Sequence, residues 1–389
     1  MKKNMRTVAL FVLFVFVYST IAWAAPDYNL LVQDTQSLTA AGQYHDALKS
    51  AKQASKAAKR SFGATDARTI RALNTVVQIE RILGNNRRAE KRMQKSLALA
   101  ETAGTENAHI LITTLTQLGD VYRESGNYVK AEETLKRAIQ IGEEREGADA
   151  IVLSRPLSSL ALLYRAQKKF DEADVLYKRV IKIKENTYGA NDPRMGATIN
   201  DTALLYREQG KYDEAAWLLE QALGNSEKAE GGDGMERATY LMNLAGLYDY
   251  QKRYAEAEPL YREALTIIEA RYGKDHPDVA VVLNNLAINS AAQDKVEEAE
   301  QLHRRALAIL EKSFGEDHVM VAATLNNLAL VLRRQGKFDE SDKMMRKAKK
   351  TKKVSLGKDY PDDALLYGNV VEVIDREAEQ APAEGQENA

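Results

Sequence analysis

Apolar residues recur at helical spacing in short blocks, and the same pair of blocks returns every 42 residues, eight times over. In the stretch Thr239 to Gly273, Leu241, Leu244, Ala245 and Tyr248 fall on one face and predict a first helix. The break at Lys252 turns the chain, and Tyr254, Ala257, Tyr261, Ala264, Leu265 and Ile268 predict the apolar face of a second. The turn position falls at Gly42, Gly84, Gly126, Lys168, Gly210, Lys252, Asp294 and Gly336. A small residue follows five places on, at Ala47, Ala89, Ala131, Ala173, Ala215, Ala257, Ala299 and Ser341. Two backbones are expected to pass closely where Ala245 meets Ala257, since a larger side chain there would overpack the crossing. Gly273 is placed to end the second helix and Asp275 to start the next. A fixed period of this size implies an α-solenoid, an all-α rod in which each unit buries its apolar face only against its neighbours. Such a rod offers a long concave surface and no single deep pocket, which favours binding.

Some copies depart from the pattern. Glu80 and Asn86 replace two ring residues in copy two, and Ser290 and Asp294 replace a tyrosine and a glycine in copy seven. These units are expected to be less stable or to hold local cavities. Gly224 and the segment Glu230-Gly231-Gly232-Asp233-Gly234 predict a looser join after copy five. Beyond copy eight, residues 362–378 read as one more first helix, whose face Leu365, Leu366, Val370, Val373 and Ile374 caps the stack. Residues 379–389 cannot bury a core and read as a disordered tail.

The opening segment has a different character. Lys2, Lys3 and Arg6 precede an apolar run from Val8 to Tyr18, and Ala22-Trp23-Ala24 offers a small-residue cleavage site. That order predicts a signal peptide over residues 1–24, a periplasmic or secreted mature protein, and no stable membrane insertion after cleavage. The sequence contains no cysteine, which excludes a lipoprotein anchor and thiol chemistry. Net charge is −1, and loss of a leader with three basic and no acidic residues takes it to −4. Such a balance argues against nucleic acid as a partner. The lysines and arginines crowded from Lys343 to Lys353 read as a solvated helix face.

The order Leu-Ala, Tyr, Gly, Tyr, Ala, Tyr, Ala resembles the tetratricopeptide repeat. The 42-residue period and the phrases YGKDHPDVAVVLNNLA (Tyr272 to Ala287) and LNNLALVLRRQGKFDES (Leu325 to Ser341) are similar to its kinesin-light-chain type. The resemblance covers Tyr28 to Pro361, within a solenoid expected over residues 25–361. An export signal and the lack of a heptad segment argue against an actual kinesin light chain. What the resemblance implies is a right-handed superhelix of about eight helix-turn-helix repeats. Its first helices would line a concave groove that holds extended or helical peptides.

Two series stand out at first-helix positions. Arg81, Arg123, Arg165 and Arg207 occupy one offset, followed by Asp249, Ala291 and then Arg333. On one wall they would form an arginine ladder suited to carboxylates, unless arginine merely fills a solvated slot. Asn243, Asn285 and Asn327 occupy another offset, after Asp201, and their predecessors include Asn74, Asn200, Asn284 and Asn326. The resemblance implies that Asn243, Asn285 and Asn327 clamp a peptide backbone or carboxylate; the plainer alternative is an amide bonded to a neighbouring helix. No hydrolase, metalloprotease or phosphate-loop motif is present, so no catalytic residue, metal or cofactor is expected. His276 and His318 lie one period apart in equivalent turns, as repeat features. Trp217 takes a usually polar slot, as a second contact surface or partly buried. The sum is a non-catalytic scaffold for a protein or peptide, acidic in character. The alternatives are a self-assembling rod, a homo-oligomer in which the groove receives another copy's end, and an envelope enzyme acting on a polymer through groove carboxylates.

Overall fold

The computed structural model describes residues 27–104, 108–190, 192–227 and 234–356. These form helix pairs that match the predicted repeats. Repeat one is Tyr28–Ala40 and Tyr44–Phe62, two is Ala67–Ile82 and Asn86–Thr102, and three is Ala108–Glu124 and Tyr128–Glu146. Repeat four is Ser154–Ala166 and Phe170–Tyr188, and five is Gly196–Glu208 and Tyr212–Glu227. Six is Met235–Tyr250 and Tyr254–Tyr272, seven is Pro277–Ala292 and Val296–Phe314, and eight is Val319–Arg334 and Phe338–Leu356. Each helix packs on the one before and the one after it. The expected leader (1–24), cap (362–378) and tail (379–389) lie outside the described residues, as do residues 228–233 of the linker.

The turn slot works through one backbone device. All eight turn residues have left-handed φ, from 59° at Lys168 to 77° at Gly210. That conformation lets the next residue's N–H reach the carbonyl five places back, as in Gln43 to Leu38 and Lys337 to Leu332, both 2.9 Å. Where Lys168, Lys252 and Asp294 replace glycine, a Cβ is held in a region that costs an L-residue about 1–2 kcal/mol.

The small-residue slot is equally uniform. Ala47, Ala89, Ala131, Ala173, Ala215, Ala257, Ala299 and Ser341 are all 0% exposed, so the expected close crossing is present in every repeat. Gly119 sits in the slot of Ala245 because Leu135 fills its space; an added Cβ would lie 2.5 Å from Leu135 Cγ. Gly273 does cap its helix, at φ 85°. Asp275 does not start the next one. His276 is the N-cap, its Nδ1 accepting from Asp278 N, while Asp275 pairs with Lys312 at 2.8 Å.

One expectation about weak places changes. Glu80 leaves no void: it is 1% exposed and bound by Arg92 Nε at 2.9 Å, with Lys52 Nζ at 3.9 Å. The helices on either side of the join after repeat five pack together, Leu219 sharing one core cluster with Leu244 and Leu247, while the glycine-rich linker expected to be loose lies mostly outside the described residues. Gly224 lies inside the helix Tyr212–Glu227, with open space where a Cβ would stand.

First helices of successive repeats touch one another in pairs two–three, three–four, five–six, six–seven and seven–eight, which puts them on the inside of the curve. The curve also meets itself. Tyr44 of repeat one stacks on Phe314 of repeat seven, centroids 5.3 Å apart and planes 8° apart. His318 Nε2 lies 3.1 Å from the Ile82 carbonyl, 236 residues away, between five and six repeats along the chain. A Cβ added to Gly42 would lie 2.5 Å from Pro277 Cδ, so this turn tolerates no side chain. The superhelix expected from sequence is therefore a coil whose successive turns touch.

Candidate functional site

The inner wall carries the predicted arginines, and their surroundings differ. Arg81 is tied down: its guanidinium bonds both Glu124 oxygens, one repeat on, with Nε 2.8 Å from Oε2, and its Nη1 donates to Gln78 at 2.8 Å. Arg123 reaches the same Glu124 at 3.4 Å, while its Nε is buried with no hydrogen-bond partner. Arg165 meets Glu208 at 3.4 Å and leaves Nη1 buried and unpartnered. Arg207 has Nη1 in the same condition, and burial pushes its guanidinium pKa down. Arg333 stands apart as an exposed side chain. Three successive repeats thus present arginine donors that the protein itself leaves unused. An unmade bond at a buried donor is costly, which sets these three side chains apart from Arg81.

Buried polar neighbours reinforce that stretch. Tyr177, 0% exposed, has a hydroxyl with no partner. Burial raises its pKa, opposed by the charges of Arg165 and Arg123. Asp201 is pushed up to about 6 by burial, against the pull of Arg165, Lys184 and Arg123. Asp120 is raised by the same cause, against Arg123 and Arg81. Burial alone raises both carboxyls, each within its own repeat. Asp249, also pushed up to about 6 by burial, accepts from Asn289 Nδ2 at 2.6 Å and Tyr261 OH at 2.9 Å, the role of a packing acceptor.

The asparagine series is mostly internal. Asn243 Nδ2 bonds Asn200 Oδ1 in the preceding repeat. Asn327 is 1% exposed, with Oδ1 lacking a partner. Asn285 is half-buried. The preceding positions staple repeats together: Asn74 donates to Thr114 at 3.1 Å and Asn284 to Thr324 at 2.8 Å. The plainer alternative therefore describes Asn243. A buried amide has the same residue type as a groove amide, and its burial was invisible in the pattern.

The remaining histidines and the tryptophan resolve simply. His303 fills the core slot of Tyr261, donating through Nδ1 to Asn284 Oδ1 at 2.9 Å, and burial drives its pKa down to about 3. Trp217 is 58% exposed on the outer helix of repeat five. Among the described residues no group of side chains has metal-site geometry, and no helix is long and apolar enough to cross a membrane.

The tetratricopeptide repeat family profile matches residues 36–102, 69–144, 110–186, 152–228, 236–312 and 278–353. The chain belongs to the tetratricopeptide repeat family, whose members typically mediate protein–protein contacts. Its structural neighbours include kinesin-light-chain-like repeats from Podosopora anserina, 24% identical, covering 54% of this chain and 99% of that one at a TM-score of 0.44. A tetratricopeptide repeat protein from Parabacteroides merdae is 17% identical over 74% of this chain and 97% of that one, at 0.47. A Rap protein complexed with Competence and Sporulation Factor is 15% identical over 75% of this chain and 78% of that one, at 0.52. No curated protein matches the chain.

Proposed function

We propose that the protein is a non-catalytic scaffold that binds an extended, carboxylate-bearing protein segment along the first-helix wall of repeats three to five. The observation that carries this reading is the run of unused buried donors, Arg123 Nε, Arg165 Nη1 and Arg207 Nη1, one per repeat. A carboxylate every few residues of an extended chain supplies the acceptors these guanidinium groups lack, in charge-assisted bonds about twice as strong as neutral ones. Arg81 serves the wall by holding Glu124. The Rap protein of the same fold, solved with a bound factor, supports the idea that such a coil accommodates a partner.

The test uses fluorescein-labelled hexaglutamate as probe and hexaglutamine as its neutral control, titrated into the full mature chain. Salt-sensitive binding of the acidic probe is expected, weakened roughly tenfold or more in Arg123→Glu/Arg165→Glu with helicity unchanged. Equal binding of both probes, or an unaffected variant, contradicts the reading. We further propose export with cleavage after Ala24, motivated by the Lys-rich start and Ala22-Trp23-Ala24. The mature protein should then begin at Ala25 on N-terminal sequencing, and recovery of the uncut chain from the cytoplasm opposes it.

A further inference from the structure

We infer that the coil is held shut by a two-histidine latch, His276 and His318 at the seam between its turns, and that acid opens it. The two histidines are equivalent in position but not in bonding: His318 Nε2 bonds across the seam, while His276 Nε2 is buried against the turn of repeat one without a hydrogen-bond partner. His318 faces the turn of repeat two and His276 the turn of repeat one, and both partners shift by one 42-residue period. His318 Nδ1 accepts from Met320 N at 3.3 Å, so the proton sits on Nε2, which donates to the Ile82 carbonyl at 3.1 Å. His276 Nδ1 accepts from Asp278 N at 3.2 Å, which puts its proton on Nε2, toward the turn that follows Ala40. Both rings are stacked from behind, His276 on Tyr272 at 4.4 Å and His318 on Phe314 at 4.3 Å.

The choice of residue type is itself informative. In the turns after repeats one and four the same N-cap slot holds Asp66 and Asp192, which accept from Arg68 N and Arg194 N at 2.8 and 2.9 Å. Aspartate accepts only. A neutral histidine accepts at one nitrogen and donates at the other, so His318 both caps its own helix and bonds a second turn of the coil, and His276 caps its helix with its N–H packed on the facing turn. Histidine stands at the two turns that meet the amino-terminal repeats.

Protonation removes the capping acceptor, because an imidazolium donates at both nitrogens; the Nε2 bond of His318 remains, and what opposes closure is a charge buried in the seam. Burial holds both rings below their ordinary value of 6.5, so the closed coil keeps them neutral. In an opened coil they regain that value. Closure is therefore complete above about pH 6.5 and is lost as the pH falls below it. The groups around His276 are Asp278 and Tyr272, with Tyr44, His45 and Asp46 from repeat one and Lys274, Asp275 and Lys312 at the mouth of the cleft. Asp278 Oδ2 lies 3.5 Å from the His276 ring and offsets part of a charge there. Across the seam from His318 the titratable group is His45, whose positive charge would add repulsion, while Asp317 precedes it in the chain. His318 is thus the stronger sensor. An open seam gives a ligand lateral access to the inner wall, which a closed one denies.

The chain has no cysteine, so a spin-label pair can be placed across the seam with Asp46→Cys and Lys312→Cys, both at the mouth of the seam cleft. Distances are measured on the full mature chain at pH 7.5 and pH 5.5, with helicity followed in parallel. One short distance is expected at pH 7.5 and a longer, broader distribution at pH 5.5, with helicity constant. In His276→Gln/His318→Gln, which keeps a donor near Nε2 but cannot titrate, the distance should no longer respond to pH. A double variant already open at pH 7.5 with full helicity also supports the latch. In His45→Gln the opening should persist. An unchanged wild-type distance, an opening retained in the double variant, an opening abolished by His45→Gln, or a loss of helicity in step with opening each overturns the inference.

Discussion

Repeats three to five and repeats six to eight are built on one template and use their charges differently. In the later group, arginine and lysine on the outer helices are bound by neighbours. Arg262 bonds Glu258 and Glu298, Arg304 bonds Glu300 and Glu340, and Lys295 and Lys337 close on the same acids at 2.6 and 2.7 Å. Part of the inner side there is satisfied too, since Arg334 donates to the Ala291 carbonyl at 2.6 Å and Asn289 bridges Asp249 and the Tyr254 carbonyl, although Asn327 Oδ1 stays buried without a partner. In the earlier group the outer helices keep a few such rungs, Arg137–Glu101 and Arg179–Glu143, both at 2.7 Å. The inner wall, however, holds unused donors on Arg123, Arg165 and Arg207. A repeat whose charges close on each other contributes cohesion. One whose inner donors stay unpaired within the chain contributes less of it, and it is there that we place the proposed partner.

That contrast can be broken in several places. The largest expected effect is on cohesion: Ala257→Leu at the sealed crossing of repeat six should cost about 1–3 kcal/mol in urea unfolding. Hydrogen exchange should then rise most in repeats five to seven and least in repeat one. Loss of protection spread evenly along the chain would mean that the repeats do not act as neighbours only.

Next comes the open wall itself. Asp201 is raised to about 6 in the folded chain from an ordinary 3.8, so its burial as a carboxylate destabilises the fold above pH 6. That cost fades as the pH falls from 6 towards 4, where the carboxyl takes up its proton. Asp201→Asn should therefore stabilise by about 1–3 kcal/mol at pH 7 and by nearly nothing at pH 4, read from thermal unfolding at both. A gain that is the same at both pH values refutes the assignment. The opposite sign applies at the latch, where acid weakens a contact that neutral pH favours.

Smaller effects sharpen the comparison. Lys168→Gly, relieving a φ of 59°, should stabilise by about 0.5–1 kcal/mol, because the strain removed exceeds the entropy glycine adds to the unfolded chain. Arg304→Ala removes two surface pairs and should cost only about 0.2–1 kcal/mol, a difference that high salt erases. A cost of several kcal/mol would show that the outer rungs hold the carboxy-terminal repeats more firmly than surface pairs do.

Much of this fold could be read from the sequence because its determinants are local and periodic. The left-handed turn residue, the sealed small residue and the apolar faces each recur at the repeat interval, and eight copies leave little ambiguity. The arginine series was legible as a ladder for the same reason. What separates Arg81 from Arg123 and Arg207 is that an acid 43 residues on reaches its guanidinium, while Arg165 meets its own, Glu208, only at 3.4 Å. Glu124 does so for Arg81, whereas position 166 beyond Arg123 is alanine. The pairing was therefore discoverable in the sequence by asking what lies one repeat away. The asparagines were harder, since burial of Asn327 depends on how tightly repeats seven and eight nest. The seam was hardest. It joins residues more than five repeats apart, and its curvature sums small rotations that no single repeat reveals. The one local hint was histidine in a slot where other turns carry aspartate.

The central claim is that repeats three to five hold the partner-facing donors. Hydrogen exchange of the full chain with and without saturating hexaglutamate tests it most directly. The account predicts added protection in Ala108–Glu124, Ser154–Ala166 and Gly196–Glu208, with little change in Pro277–Ala292 and Val319–Arg334. Protection confined to the outer helix that carries Trp217, or centred on repeats seven and eight, would contradict it.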